Sequence, residues 1–197
     1  MDDFIEGEMV NKSEKKSIFF IGMMASGKST VGAELARQLG WSFFDSDEVI
    51  VSRKRKSVSE IFREEGEANF RFYETQVIAE LTSLSRVVVA LGGGAPMFDV
   101  NRRLLARGLV VQLVASVSDV LERTRKDESR PLLMGADPLH KIRSILLERS
   151  PVYESISDVS VHVSRRSPEQ IVQILLKEPD ILDVVAAGNK INEVVND

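Results

Sequence analysis

The apolar segment SIFFI at 17–21 leads without interruption into Gly22-Met23-Met24-Ala25-Ser26-Gly27-Lys28-Ser29, and an amphipathic stretch begins at Lys28. In that stretch Val31, Leu35 and Leu39 fall four apart, on one face of a helix. The eight-residue run fits G-x-x-x-x-G-K-[ST] at every specified position, with a strand before it and a helix after it, the setting the motif needs. The N–H groups of such a loop wrap phosphates, and the helix N-terminus adds partial positive charge. Lys28 is placed to reach the β- and γ-phosphates, and the Ser29 hydroxyl to ligate magnesium. The bland alternative is a glycine-rich turn that merely closes strand to helix; pattern and context together favour the phosphate loop. The motif specifies a nucleoside triphosphate with magnesium and leaves the acceptor open.

The rest of the chain repeats this alternation. Further strands are predicted at Trp41–Phe44, Arg86–Leu91, Leu109–Ala115 and Val159–Val163. Helices are predicted after the capping box Ser57-x-x-Glu60 and over Phe70–Leu81, Asp99–Ala106, Ser118–Arg125 and Pro138–Leu147. A last helix starts at Ser167, with Pro168 at its first position. Five strands separated by helices give an α/β fold, a mostly parallel sheet covered on both faces in three layers. One domain over 17–177 is expected, preceded by a polar extension at 1–16 and followed by a weakly patterned, loose tail at 178–197. The polar interruption KDESRPLLMGADP at 126–138 reads as a mobile loop.

Composition removes several function classes. With 26 basic against 30 acidic residues the formal charge is −4, so no excess of positive charge is available to hold nucleic acid. Cysteine is absent, which excludes disulfides, thiolate chemistry and cysteine-ligated metal. Two histidines, His140 and His162, have no metal-ligand spacing and read as structural or surface residues. No apolar run approaches the roughly 20 residues of a membrane span. A cytoplasmic protein with no membrane partner is expected.

Four further features have both a bland and a chemical reading. Asp45-Ser46-Asp47 ends the second strand, where α/β sheets gather ligands; it is either a helix cap or a pair of carboxylates, one for magnesium through water and one for a substrate hydroxyl. Arg71 and Glu74, three apart, form either a surface ion pair or a carboxylate clamp with its orienting acid. Gly92-Gly93-Gly94 is either a permissive loop or a place where a ligand meets backbone. Arg130, in the polar loop, is either solvated or able to swing onto a transferring phosphoryl group. Arg149 precedes SPVY near a helix end, where a favourable interaction with the helix C-terminus is the plain reading. The run Arg53-Lys54-Arg55-Lys56 reads as a solvated helix end.

Taken in order, these segments resemble shikimate kinase. The resemblance runs from Ile18 to about Leu176 and rests on GMMASGKST, FFDSDEVI at 43–50, SVSEIFREEGEANFRFYE at 57–74, LGGGA at 91–95, SRPLL at 129–133 and ERSPVYE at 148–154. It implies ATP-dependent phosphorylation of the 3-hydroxyl of shikimate, on a P-loop kinase fold with strand order 2-3-1-4-5, a helical substrate region and a lid near 126–138. It implies that Gly22, Ala25, Ser26, Gly27, Lys28, Ser29 and Thr30 line the ATP phosphates, with Ser29 and Asp45 at Mg2+. Asp47 would bind the shikimate hydroxyls and serve as the base. Arg71 and Arg149 would grip the carboxylate, Glu74 would support Arg71, and Gly92, Gly93 and Gly94 would offer backbone donors. Arg130 would be the lid arginine, and Arg123 and Arg166 would lie beside adenine. A monomer is implied. Val51 departs from the acidic residue usual in the family, and Arg53–Lys56 stands where a glycine commonly breaks the helix. The rivals are another small-molecule P-loop kinase, such as a gluconate kinase, and a silent nucleotide- or shikimate-binding regulator; the two candidate arginine clamps and the triple glycine favour shikimate over gluconate.

Overall fold

Three runs carry no polar alternation across most of their length and become the middle of the sheet, where both faces are covered. They are β1 (Ile18–Ile21), β3 (Val87–Ala90) and β4 (Leu109–Val114), flanked by β2 (Ser42–Asp45) and β5 (Val159–His162). The strand order is β2-β3-β1-β4-β5 and every pairing is parallel. The computed structural model describes residues 15–124 and 137–195, with side chains through Lys190. The predicted lid at 126–138, with Arg130, and the extension at 1–16 lie almost wholly outside the described residues.

The helices are α1 (Lys28–Leu39), α2 (Ser46–Lys54), α3 (Val58–Glu64), α4 (Gly66–Leu81), α5 (Asp99–Leu105), α6 (Val117–Thr124), α7 (Pro138–Ile156), α8 (Pro168–Leu175) and α9 (Pro179–Val195). Local chemistry starts them where expected: Ser57 and Ser167 both make full capping boxes, and Asp45 caps α2 by accepting from the N–H groups of Asp47 and Glu48. Gly32 lets α1 lie close on the sheet, since a Cβ there would stand 2.8 Å from the Phe43 ring.

Two segments differ from the sequence expectation. Helix α7 does not stop at Leu147 but continues through Pro151 to Ile156. An interior proline costs about 3 kcal/mol or more, yet the second half of α7 carries Tyr153, which is 1% exposed, into the core. Burying a large aromatic side chain outweighs the broken helical hydrogen bond. Arg149 therefore lies in mid-helix, not at a helix C-terminus.

The stretch read as a loose tail is α9, and it docks. Ile181 and Val184 are fully buried, and Gly188 packs on the Trp41 ring at a spacing of 2.8 Å from where its Cβ would be. Trp41 and Arg86 immediately precede β2 and β3, so α9 lies at the amino ends of the strands, opposite the ligand side. Its apolar residues Ile181, Val184 and Val185 do recur at the i, i+3, i+4 spacing of a helix face, and the surface they meet supplies the reason the segment docks. Ile181→Ala is expected to cost about 2–5 kcal/mol in urea unfolding while leaving turnover by the folded protein unchanged.

Candidate active site

The chain leaves β1 toward β2 and β3 on one side, then crosses to β4 and β5 on the other. The crevice of such a sheet opens at the carboxyl ends of the strands where that direction reverses. The two loops there are the phosphate loop after β1 and Gly92–Gly94 after β3. A cavity of about 600 Å³ lies along them, lined by residues 24–31, Asp45, Asp47, Glu48, Leu91–Gly93, Arg123, Arg166, Pro168 and Ile171.

The phosphate loop is held from within. Lys28 is nearly buried and its Nζ donates to the carbonyls of Gly22 (3.0 Å) and Met23 (2.8 Å), folding the loop over its own lysine. Gly22 has φ of 138°, and a Cβ there would come within 2.5 Å of the Leu113 carbonyl oxygen on β4. Only glycine meets both demands. Arg123, from α6, reaches across and donates to the Ala25 carbonyl at 3.0 Å. Arg166 hydrogen-bonds the His162 carbonyl and lines the same cavity. Pro168 and Ile171, at the start of α8, add an apolar wall that sequence reasoning did not anticipate.

At the mouth of the loop the Ser29 hydroxyl donates to Asp45 Oδ2 at 2.6 Å. Asp45 thus serves both readings: its Oδ1 caps α2 while its Oδ2 faces the serine. Two hard oxygens side by side suit Mg2+, which takes one or two protein ligands and draws the rest from phosphate and water. No cluster of three or more metal-ligating side chains occurs among the described residues.

The triple glycine is where the second half of the site converges. Each glycine backs onto a different functional side chain. A Cβ on Gly92 would stand 2.7 Å from Asp47 Oδ1 and 2.9 Å from Glu74 Oε1. On Gly93 it would stand 3.3 Å from Arg149 Nη1, and on Gly94 2.7 Å from Arg71 Nη2. One strand-end loop without side chains therefore lets two carboxylates and two guanidiniums gather about its backbone. Ser46 fixes the loop at one end by accepting from Gly92 N–H (3.0 Å), and Tyr153 fixes its middle by donating from its hydroxyl to the Gly93 carbonyl (2.5 Å). Neither residue was singled out from sequence. Tyr153 carried a signal, for it lies one helical turn after Arg149 and so shares its face.

Arg71 is enclosed. Its Nη1 donates to Glu74 at 2.9 Å, its Nε and Nη2 donate to Glu67, and its guanidinium lies 5.3 Å from the ring centroids of both Phe70 and Phe98. Glu74 is fully buried beneath it. Burial pushes the Glu74 carboxyl up from its ordinary 4.5 to about 7, against the pull of Arg71 and with the repulsion of Asp47 adding to the rise. Between pH 4.5 and 7 the folded chain keeps this proton while the unfolded chain has lost it. The stability it lends is whole below about 4.5 and is lost as the pH rises through about 7. Unfolding free energies from urea titrations across this window are expected to fall with pH by up to about 1.4 kcal/mol per pH unit more than those of Glu74→Gln. Parallel pH profiles of the two proteins would contradict the assignment.

Arg53, Lys54 and Lys56 of the basic run at the end of α2 have partners. Arg53 pairs with Glu80 at 2.6 Å, Lys56 pairs with Glu64 and Glu65, and Lys54 lies over the Tyr73 ring. His140 and His162 are both exposed and away from the cavity lining.

Comparison with known proteins adds the family. The family model described as shikimate kinase matches residues 24–179. The shikimate kinase of Halorhodospira halophila is 48% identical over 167 residues, covering 82% of this chain and 94% of that one. That of Thiobacillus denitrificans is 42% identical over 171 residues, covering 86% and 93%. Among solved structures, a shikimate kinase from Acinetobacter baumannii in complex with shikimate superposes with a TM-score of 0.80 at 38% identity, covering 84% of this chain and 93% of that one.

Proposed function

The chain belongs to the shikimate kinase family, and from that membership we propose which side chains carry the transfer of the γ-phosphoryl group of ATP to the 3-hydroxyl of shikimate, a step of aromatic biosynthesis. The observation that carries the reading is the gathering of Asp47, Arg71 and Arg149 around the triple glycine, beside a phosphate loop. Shikimate is a small carboxylate with neighbouring hydroxyls. It calls for cationic forks at one end and an acceptor of hydroxyl protons at the other.

Lys28 and the loop N–H groups of Gly22, Ala25, Ser26, Gly27, Ser29 and Thr30 hold the β- and γ-phosphates. Ser29 would hold Mg2+ directly and Asp45 would hold it through water; when bound, the ion would neutralise phosphate charge. Arg123 and Arg166 take the nucleotide end, with Pro168 and Ile171 offering the adenine an apolar wall. Asp47 accepts hydrogen bonds from the shikimate hydroxyls and takes the proton of the attacking one. Arg71 and Arg149 grip the carboxylate, Glu74 fixes Arg71, and the N–H groups of Gly93 and Gly94 complete the cradle, that of Gly92 being given to Ser46 Oγ. Arg130 is assigned to the lid at 126–138 from the family resemblance alone; closure there would keep water from the γ-phosphate. In phosphoryl transfer alignment and charge neutralisation do most of the work, and this distribution of cations around one carboxylate suits it.

A monomeric enzyme is proposed from the family resemblance. The formal charge of −4 gives no basis for nucleic-acid binding. Among the described residues no helix is long and apolar enough to cross a membrane, in keeping with a cytoplasmic location for an enzyme of this kind.

The test is ADP release with ATP and Mg2+ in the presence of shikimate, quinate, gluconate or no acceptor. Turnover that depends on shikimate is the expected result. Turnover with gluconate alone would mean the arginines do not select a ring carboxylate, and ATP binding without turnover on any acceptor would point to a silent binder.

A further inference from the structure

Arg71 is already occupied by carboxylates on two sides. Glu74 takes Nη1 from below, at 2.9 Å. On the outer side one oxygen of Glu67 accepts from both Nε (3.2 Å) and Nη2 (3.0 Å). A guanidinium offers a planar carboxylate two forked edges, the Nε–Nη2 side and the Nη1–Nη2 end. The first is filled by Glu67. The second packs on Gly94, whose absent Cβ would stand 2.7 Å from Nη2 and 2.8 Å from Nη1. The two partners are held very differently: the side chain of Glu74 is 0% exposed and that of Glu67 is 63% exposed.

Resting on the reading that Arg71 grips the acceptor carboxylate, we infer that Glu67 is an internal competitor for that edge, one that leaves Arg71 as shikimate docks and so sets the affinity for it. Glu74 stays and keeps the guanidinium in place. Glu67 swings into solvent, its own charge returning to water. An exposed ion pair is weak and screened by salt, so the displacement costs little and its effect is a modest tuning of affinity. An acceptor with a carboxylate can take the vacated edge by forked hydrogen bonds, whereas an acceptor lacking one gains nothing from displacing Glu67. The contact thereby favours anionic acceptors over neutral polyols of similar size. Its sequence signal is the i, i+4 spacing of Glu67 and Arg71 on α4.

The experiment is shikimate binding by titration calorimetry without nucleotide, together with steady-state kinetics, for the unmodified protein, Glu67→Gln and Glu67→Asp. Glu67 lies in the first turn of α4, where negative charge also favours the helix. Aspartate keeps that charge and is one methylene too short for the contact, so it separates the two effects. Both variants are expected to bind shikimate about two- to fivefold more tightly, on the scale of an exposed ion pair. The gain appears in KM for shikimate, not in kcat or in KM for ATP, and it shrinks as salt is added. The methyl ester of shikimate, lacking the charge, is expected to bind all three proteins alike. Weaker or unchanged shikimate binding in both variants would overturn the inference, because it would make Glu67 a support of Arg71 or a bystander. If the unmodified protein binds no shikimate, the reading of Arg71 itself fails, and that result is recognisable from the first titration.

Discussion

Asp47→Asn lowers kcat/KM for shikimate by about two to four orders of magnitude, the usual contribution of a positioned proton acceptor. Asparagine keeps the size of the side chain, and the cap of α2 belongs to Asp45, so the fold is untouched. What disappears is a negative charge beside Gly92, and with it the proposed acceptor of the attacking hydroxyl's proton. On the proposed reading Asp47 also holds hydroxyls in the ground state, so KM is expected to rise while kcat falls. The decisive measurement is steady-state kinetics on a variant whose thermal melting matches the unmodified protein. Unchanged KM and kcat would remove Asp47 from both roles. The variant has an informative second consequence. Asp47 is one cause of the elevated Glu74 carboxyl, and its neutralisation lets Glu74 ionise at lower pH. The pH window of the Glu74 effect on stability therefore moves downward in Asp47→Asn.

Gly92→Ala lowers turnover by about a hundredfold, comparable with the cost of an ångström-scale misplacement of reacting groups. The added methyl would overlap the ends of two carboxylates, at 2.7 Å from Asp47 and 2.9 Å from Glu74. Side-chain ends move more easily than backbone, so both carboxylates give way and the chain still folds. Yet Glu74 carries Arg71 with it through their 2.9 Å ion pair. A single methyl thus misplaces the proton acceptor and one of the two carboxylate forks together. ATP binding, which rests on the loop after β1, is expected to stay within about twofold. Kinetics with shikimate and equilibrium binding of nucleotide check the two halves separately. A variant with normal turnover would mean that the carboxylates do not need their present places.

Much of this was legible before any coordinates. The phosphate loop is contiguous, and its function lies in a backbone path that eight residues define by themselves. The caps at Ser57 and Ser167 are contacts between residues three apart, so they too could be read in the sequence. The family likeness rests on ordered segments and was equally visible. Helix α9 carries a helical apolar spacing at Ile181, Val184 and Val185; its docking partner, Trp41 at the amino ends of the strands, is distant along the chain and is fixed only by the fold. The passage of α7 through Pro151 departs from local propensity, which disfavours it; the burial of Tyr153 overrides that preference.

Amino-acid order alone determined that a nucleoside triphosphate is held after the first strand, that a parallel sheet supports it, and which acids and arginines stand as candidates. Those properties follow from neighbours along the chain. Tertiary structure decided which candidates meet. It set Asp47, Glu74, Arg71 and Arg149 on three consecutive glycines, gave Asp45 two tasks at once, pushed the Glu74 carboxyl up by burial and placed Glu67 on the outer edge of Arg71. Partners such as Asp47 and Glu74, or Tyr153 and Gly93, lie tens of residues apart in sequence. Their charges and hydrogen bonds act through a few ångströms of space, and only the packing of sheet and helices fixes those distances.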